Sequence, residues 1–599
     1  MKQFPIRKIT IATIPCVFLY MWYVLVIANG DLLYTIQDFS PWLGTTQYFL
    51  DALRHPGGLR EWAGDWFTQL FYYPWLGGSI MLLMWVITAL SLVRACRLKH
   101  GFELLSLVPV LALLAGITQL GYWVFCLKTV SYWFGPTLGA LCIGLFALSY
   151  SRANHVARCI LLAAWGALAI PALGWYGTLG LLVGLLLTPM RQTWKEWGQL
   201  LSPAFIALIS VMYCYANSAG TQINQPLLWY GFPKIIIPEA SAPLLEVAPW
   251  VMTVAMLVLP LVRHLQHSVF ALRAALPVSI LVLVVALGAA NMLNYRNSNF
   301  HAELKMLRAM NEGRWDDLLL VMRNLDRKPT REMVMMKDVA LAQKGQLATQ
   351  AFNYDVRGVR PAMNVALPIH MAHSAGPVIY YWLGMPNYAY MWAMENKVEY
   401  GLSPYWLRLF YRCAVVNGEE NLARKYKALL ETTLFHNELE VSAEEIDAIR
   451  SLAVNRNELT NDGGYSESFL MSSLCKNIYD TPKAQEIALH YALLMRQPEL
   501  FAMGLDIYVS MVGNDKPLPV TYQEALLLFV ANQTQNDHEV MASLPVSEDV
   551  RRRFDLYRAA VQQTLQLSLS AERAGEQLYS RYGQTYWWYY DLYTNNKTY

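Results

Sequence analysis

The sequence predicts an all-α fold: a polytopic transmembrane bundle of about nine helices, then an extracytoplasmic α-solenoid. Three observations carry this. Of 599 residues, 55% are hydrophobic and only 15% charged, against about 25% charged in soluble domains. Long apolar runs recur up to Met292 and then stop. Charge divides at the same place: residues 1–300 hold 17 Lys+Arg against 9 Asp+Glu, while the remainder holds 30 against 35. Residues 1–298 therefore read as the membrane domain and residues 299–599 as a mildly acidic, soluble helical-repeat domain. The net charge of +3 and the lack of a basic face exclude a nucleic-acid partner.

A crossing needs roughly 20 apolar residues. The expected spans are 8–28, 74–93, 102–120, 131–150, 159–173, 176–190, 201–217, 248–262 and 274–293. Basic residues in short loops set orientation. With the N-terminus inside, Lys2, Arg7, Lys8, Arg94, Arg97, Lys99, Arg152, Arg158, Arg191, Lys195, Arg263 and Arg273 lie inside, and only Arg54, Arg60, Lys128 and Lys234 outside. This places a multi-pass chain in the plasma (inner) membrane, its N-terminus cytoplasmic and its second half outside. The basic start of the first run fits a secretion signal, but the run is too long and no A-x-A site follows, so it reads as a retained anchor.

The structured outer loop, residues 29–73, is rich in acids and aromatics. Ser40-Pro41 reads as a helix start, with a helix to His55 stopped by Pro56-Gly57-Gly58 and a second from Leu59 to Tyr73. Trp62, Trp66, Phe67, Leu70 and Phe71 form a stripe suited to the lipid headgroup layer. Asp31 and Asp38 follow the first crossing, where a partly buried carboxylate can act as a general base. Arg54, His55, Arg60, Lys128 and Lys234 are the cations available to a phosphate on that side. The competing reading has each acid merely solvated or paired, with Asp51 against His55 one turn away.

A first crossing, an outer loop with an early acid and two surface-lying helices, and then a bundle resemble the C-type (GT-C fold) glycosyltransferases. The resemblance covers the first half of the chain. It implies a polyprenyl-phosphate-linked sugar as donor and Asp31 or Asp38 as the base. That family often pairs its acids, whereas Asp31 and Asp38 stand singly. The run from Phe71 to Gly78 and the aromatic tail also look like an uncharacterised group of bacterial membrane proteins, from which no activity carries over.

No Walker loop, H-E-x-x-H, C-x-x-C or G-x-S-x-G occurs. His370 and His373 share a helix spacing, but a metal needs a further ligand and none is near in sequence, so no cofactor is assigned. Cys413 and Cys475 can pair in an oxidising compartment. The predicted spans carry almost no charge, which argues against an ion-coupled transporter.

From Phe300 on, helices alternate with X-Gly turns at Gly313, Gly345 and Gly418. Helix, X-Gly turn, helix resembles a tetratricopeptide-like unit, the glycine supplying a left-handed cap. Such arrays bind partners on a concave face, here envelope proteins, or simply cover the bundle. The cluster from Tyr586 to Tyr590 reads as a terminal helix buried as a cap, or as a sugar-stacking surface. Two functions remain open: a GT-C-like glycosyltransferase using a lipid-phosphate sugar at the outer face, and a non-enzymatic membrane-anchored scaffold for envelope proteins.

Overall fold

The computed structural model describes residues 4–129, 131–188, 243–266, 269–359, 370–436, 439–452, 479–513, 515–533, 538–566 and 570–593, with scattered positions between them. Every regular element among the described residues is a helix, and the pairing between Thr330 and Val359 is an isolated bridge rather than a strand. The chain forms two compact units. The first comprises Met1–Arg296 with Lys397–Leu407 and Tyr426–Leu439; the second comprises Asn297–Asn396, Arg408–Lys425 and Glu440–Tyr599.

In the first unit α1 (Phe4–Trp22) runs into a π-helical turn, Tyr23–Ala28. A π-turn leaves a main-chain carbonyl off the regular ladder. Asn29 meets this need, its amide donating to the Val24 carbonyl at 2.8 Å. The chain then turns into α2 (Gly30–Phe39), α3 (Thr46–Leu53) and α4 (Gly58–Thr68), with a 3₁₀ turn, Gln69–Tyr72. Ser40 ends α2 instead of starting a helix. The start belongs to Thr45, whose hydroxyl accepts from the Tyr48 N–H at 3.2 Å. Gly57, at φ +83°, lets the chain reverse into α4 while its N–H donates to the Pro171 carbonyl at 2.7 Å.

The bundle continues with α5 (Pro74–Ala95), α6 (Leu107–Thr118), α7 (Gly135–Arg152), α8 (His155–Leu173), α9 (Trp175–Leu187), α10 (Val247–Leu265) and α11 (Val269–Leu293). Among the described residues, four helical stretches are long and apolar enough to cross a membrane: Ile9–Ala28, Pro74–Ala95, His155–Leu173 and Ala274–Leu293. The expectation of about nine is corrected to four candidates among the described residues. Stretches Phe102–Thr118, Trp175–Leu187 and Val247–Arg263 are apolar but shorter. The 13 residues of α9 rise about 20 Å, short of the roughly 30 Å hydrocarbon core. The run at 102–120 opens in a 3₁₀ turn, Phe102–Ser106, and a second 3₁₀ turn, Gly121–Cys126, follows it, which leaves α6 only Leu107–Thr118. The expected span 201–217 lies almost wholly outside the described residues.

The second unit contains the expected glycine-punctuated helix pairs. Ser298–Asn311 and Trp315–Arg323 flank Gly313 (φ +67°), and Arg331–Gln343 and Leu347–Gln350 flank Gly345 (φ +64°). Gly418, at φ +75°, ends Pro404–Asn417 before Glu420–Leu430. Each glycine adopts the left-handed backbone that would strain a residue with a Cβ. Cys413 and Cys475 are buried free thiols. The terminal helix Tyr586–Asp591 buries Tyr586, Trp587, Trp588 and Tyr589 as a cap of the core. His373 packs its Nδ1 against the Asn396 side-chain oxygen at 2.8 Å. No metal-holding group of His, Cys, Asp and Glu occurs among the described residues.

Candidate functional site

Helix α4 is built inside out for a surface helix. Arg60, Glu61, Gly64, Asp65 and Thr68 are buried, while Trp62, Trp66 and Phe67 are half-exposed. The buried side chains recur at helical spacing and form a polar stripe that packs on α7 and α8. Gly64 permits the approach: a Cβ there would lie 2.0 Å from the Ser131 hydroxyl oxygen. Arg60 donates to Glu61 at 3.0 Å and lies over the Tyr176 ring, 5.3 Å from its centroid. His55 Nδ1 stands 3.6 Å from the other Glu61 oxygen.

Asp65 differs from its neighbours in facing a cleft. The cleft holds about 580 Å³ of space open to solvent, and Phe39, Asp65, Lys128, Ser131, Trp133 and Tyr400 are among its walls. Asp65 is only 1% exposed. The Tyr48 hydroxyl donates to its Oδ2 at 3.2 Å, and the Ser131 main chain approaches as a weaker donor. Its Oδ1 carries no well-formed hydrogen bond. Burial, reinforced by the negative charge of Glu61, pushes the carboxyl up to about 8, against the help of Tyr48 and Arg60. Burial likewise raises Glu61, opposed first by the Arg60 charge.

Two further features mark the cleft. Ser131 adopts φ +51°, a left-handed backbone unfavourable for a non-glycine residue, and its buried hydroxyl has no partner. Lys128 pairs with Glu399 and lies 5.9 Å from the centroid of the Tyr400 ring. Trp133 also lines a second, apolar groove of about 350 Å³, walled by residues such as Leu113, Ile117, Pro136, Ala248 and Met252. A polar cleft with a carboxyl titrating near neutrality thus shares a wall with an apolar slot. That arrangement suits proton transfer to or from a molecule with a polar end and a hydrocarbon end.

Of the residues singled out from sequence, Lys128 lines this cleft, and Arg60 and His55 stand behind it around Glu61. Arg54 is exposed and pairs with Asp51 at 2.7 Å, so Asp51 takes Arg54, not His55, as its cation. Asp38 is buried beside Gln37 and 3.8 Å from His436 Nε2, and it does not line the cleft. Asp31 is half-buried at the start of α2, where it accepts from the Leu32 N–H at 3.0 Å, and it also lies off the cleft. Lys234 lies outside the described residues. Asp65 was not singled out as a base. Its signal was the repeat of small and polar residues at 57, 61, 64/65 and 68, which the aromatic stripe masked.

A family model spans residues 4–593 and is described as a family of unknown function, DUF6057. The chain belongs to the DUF6057 family. No curated protein and no solved structure matches it. The match embraces both units, so the apolar helices of the first unit and the helical second unit belong to one family architecture.

Proposed function

We propose that the first unit is a GT-C-like glycosyltransferase taking a lipid-phosphate-linked sugar, with Asp65 as its base. The observation that carries this reading is the shared wall at Trp133, which joins a cleft holding Asp65 and Lys128 to an apolar slot. The hydrocarbon chain of the donor lies along the slot and its phosphate sits near Lys128. The Asp65 carboxylate takes the proton of an acceptor hydroxyl. The acceptor oxygen bonds to the sugar's anomeric carbon as the bond from that carbon to the phosphate oxygen breaks. The lipid phosphate leaves with the bonding pair, held by the lysine. Asp65 stands in for Asp31 and Asp38 because it faces the cleft and neither of those does.

We place the chain in the plasma membrane with its N-terminus in the cytoplasm. Arg263 and Arg273 precede the last long span, so the positive-inside rule starts that span in the cytoplasm and ends it outside at Leu293. Four crossings alone would return the chain inside, so this topology requires shorter apolar helices to complete an odd number of crossings. The second unit is read as a short α-solenoid of tetratricopeptide-like pairs. Its glycine-capped pairs also favour a second reading, in which the chain is an anchor that gathers envelope proteins without chemistry.

The test compares lipid-linked sugars and envelope glycans in cells with and without the protein, complemented by wild type, Asp65→Asn, Asp31→Asn and Asp38→Asn. Loss of the protein accumulates the lipid donor, and D65N at normal abundance fails to clear it. If D65N restores the glycans while D31N or D38N does not, the base is misassigned. If deletion changes no lipid-linked sugar and no glycan, the transferase reading fails and the scaffold remains.

A further inference from the structure

The second unit contains a cleft unrelated to the proposed chemistry. It opens beside the end of helix Trp315–Arg323 and encloses about 1430 Å³ of space open to solvent. Its walls carry Arg323, Arg327, Lys328 and Arg357 against the acids Asp326 and Asp355, together with Tyr354, Tyr579, Asn353 and Gln584. The apolar contribution is small, from Met322 and Leu325.

The cations are not equivalent. Arg357 is spent locally: it binds Asp355 through both carboxylate oxygens, at 2.6 to 3.1 Å, and stacks on Tyr579 with its guanidinium carbon 3.6 Å from the ring centroid. Arg323 is oriented but not neutralised. Its Nε donates to the Tyr354 hydroxyl at 3.1 Å and the guanidinium lies over the Tyr354 ring, 5.3 Å from the centroid. Its two terminal nitrogens remain available, and a planar guanidinium held this way is preorganised for a carboxylate or phosphate. A cation in the last turn also favours the helix dipole. That explains Arg323 alone, because Arg327 and Lys328 lie beyond the helix end. Both are exposed, and the nearest acid to Lys328 is Glu576 at 3.9 Å.

We infer that this cleft binds an acidic carbohydrate, a chain of sugars bearing carboxylate or phosphate groups. Arg323, Arg327 and Lys328 supply the charge recognition, Asn353 and Gln584 pair with hydroxyls, and the tyrosine edges border the sugar rings. An acidic peptide is the poorer fit. Peptide grooves need apolar pockets for side chains, and here the lining is polar between aromatic walls.

The experiment titrates the purified full chain, in zwitterionic nanodiscs, with three hexamers: oligogalacturonate, neutral maltohexaose and oligoglutamate. The expected result is measurable affinity for oligogalacturonate alone, weakening steeply with salt. Arg323→Ala combined with Arg327→Ala lowers that affinity by about a hundredfold, some tenfold for each charge-assisted contact. Arg552→Ala, an exposed arginine paired with Asp549 away from the cleft, leaves it unchanged. Because Arg323 and Arg327 are exposed, their removal leaves the fold intact, which circular dichroism verifies. Equal binding of maltohexaose overturns the anionic class. Tighter binding of oligoglutamate overturns the carbohydrate class. No binding of any hexamer, or full affinity in the double variant, overturns the site. None of these outcomes depends on transferase activity, so this inference and the proposed function fail separately.

Discussion

Replacing Asp65 by asparagine should make the protein more stable at neutral pH and remove the proposed base. The folded chain holds the carboxyl near 8, whereas the unfolded chain releases its proton near the ordinary 3.8. Between those values the unfolded state binds fewer protons, so stability falls as pH rises, by about 1.4 kcal/mol per pH unit. At pH 7 the accumulated cost is about 4 kcal/mol. Asparagine removes this term and still offers an oxygen to the Tyr48 hydroxyl, but it buries an additional amide N–H₂ at a cost of about 1–2 kcal/mol. The net gain at pH 7 is therefore about 2–3 kcal/mol. Below about pH 5 the sign reverses, because the cost of keeping the wild-type carboxyl protonated, which vanishes only below 3.8, has by then fallen under the amide's cost. Thermal unfolding of both proteins in one detergent across pH 4.5–8.5 measures this. Stability curves that cross near pH 5 and separate towards pH 8 are expected. A gap that stays constant with pH, or a variant less stable at pH 7, refutes the assignment of a neutral buried acid.

Gly64→Ala should destabilise the first unit by at least about 2 kcal/mol, because its Cβ would meet the Ser131 hydroxyl at 2.0 Å and the Gly135 nitrogen at 2.9 Å; a lowered midpoint in thermal unfolding checks this. In the second unit, Asp338 is buried between Lys337 Nζ at 2.8 Å and His490 Nε2 at 3.1 Å. Asp338→Ala strands those groups and should cost about 3–5 kcal/mol. Although burial pushes the Asp338 carboxyl up, the charges of His490 and Lys337 outweigh it and hold the group below 3.8. Its contribution is thus present above that value and fades as pH drops further, which acid unfolding of wild type against variant would show. Glu524 is the opposite case: burial raises it to about 7 despite hydrogen bonds from the Tyr586 N–H and Arg553. Stability should decline from about pH 4.5 to 7 through this group, and Glu524→Gln should flatten that decline in a pH series of melting midpoints.

Much of the architecture was legible because it is set by local chemistry. Apolar length marks α5 and α8, and left-handed glycines mark the turns at Gly313, Gly345 and Gly418. The number of spans was not legible. The break at Gly174, which adopts φ +61°, was legible, but a hydropathy run does not register the 3₁₀ turns on either side of α6. The face of α4 was misleading for a different reason. Its aromatic stripe has the stronger hydrophobic pattern, but its glycines allow the charged stripe to pack closest to the bundle. Which stripe is buried depends on partners distant in sequence, Ser131, Gly135 and Tyr176, and no local pattern encodes them. The candidate base was missed with it: Asp31 and Asp38 stand out by position in the chain, Asp65 only by its neighbours in space.

Two raised carboxyls, Asp65 and Glu524, call for different explanations despite similar burial. Glu524 has both oxygens engaged, one by the Tyr586 N–H and the other by Arg553, and it anchors the terminal aromatic helix, whose Trp587 also donates to the Glu524 carbonyl at 2.9 Å. Its cost is offset by the packing it organises. Asp65 has one oxygen without a well-formed bond, a like charge behind it at Glu61, and a strained Ser131 whose hydroxyl is also unpartnered, all at the wall of one cleft. A bare oxygen, a like-charge neighbour and a left-handed serine are separate penalties, each of order 1–3 kcal/mol. An apolar side chain at position 65 would relieve most of them in a chain already rich in apolar residues. Independent costs gathered at one cleft, only partly offset by Tyr48, Arg60 and the Ser131 main chain, are what the catalytic role we propose for Asp65 predicts, with the transition state supplying the rest.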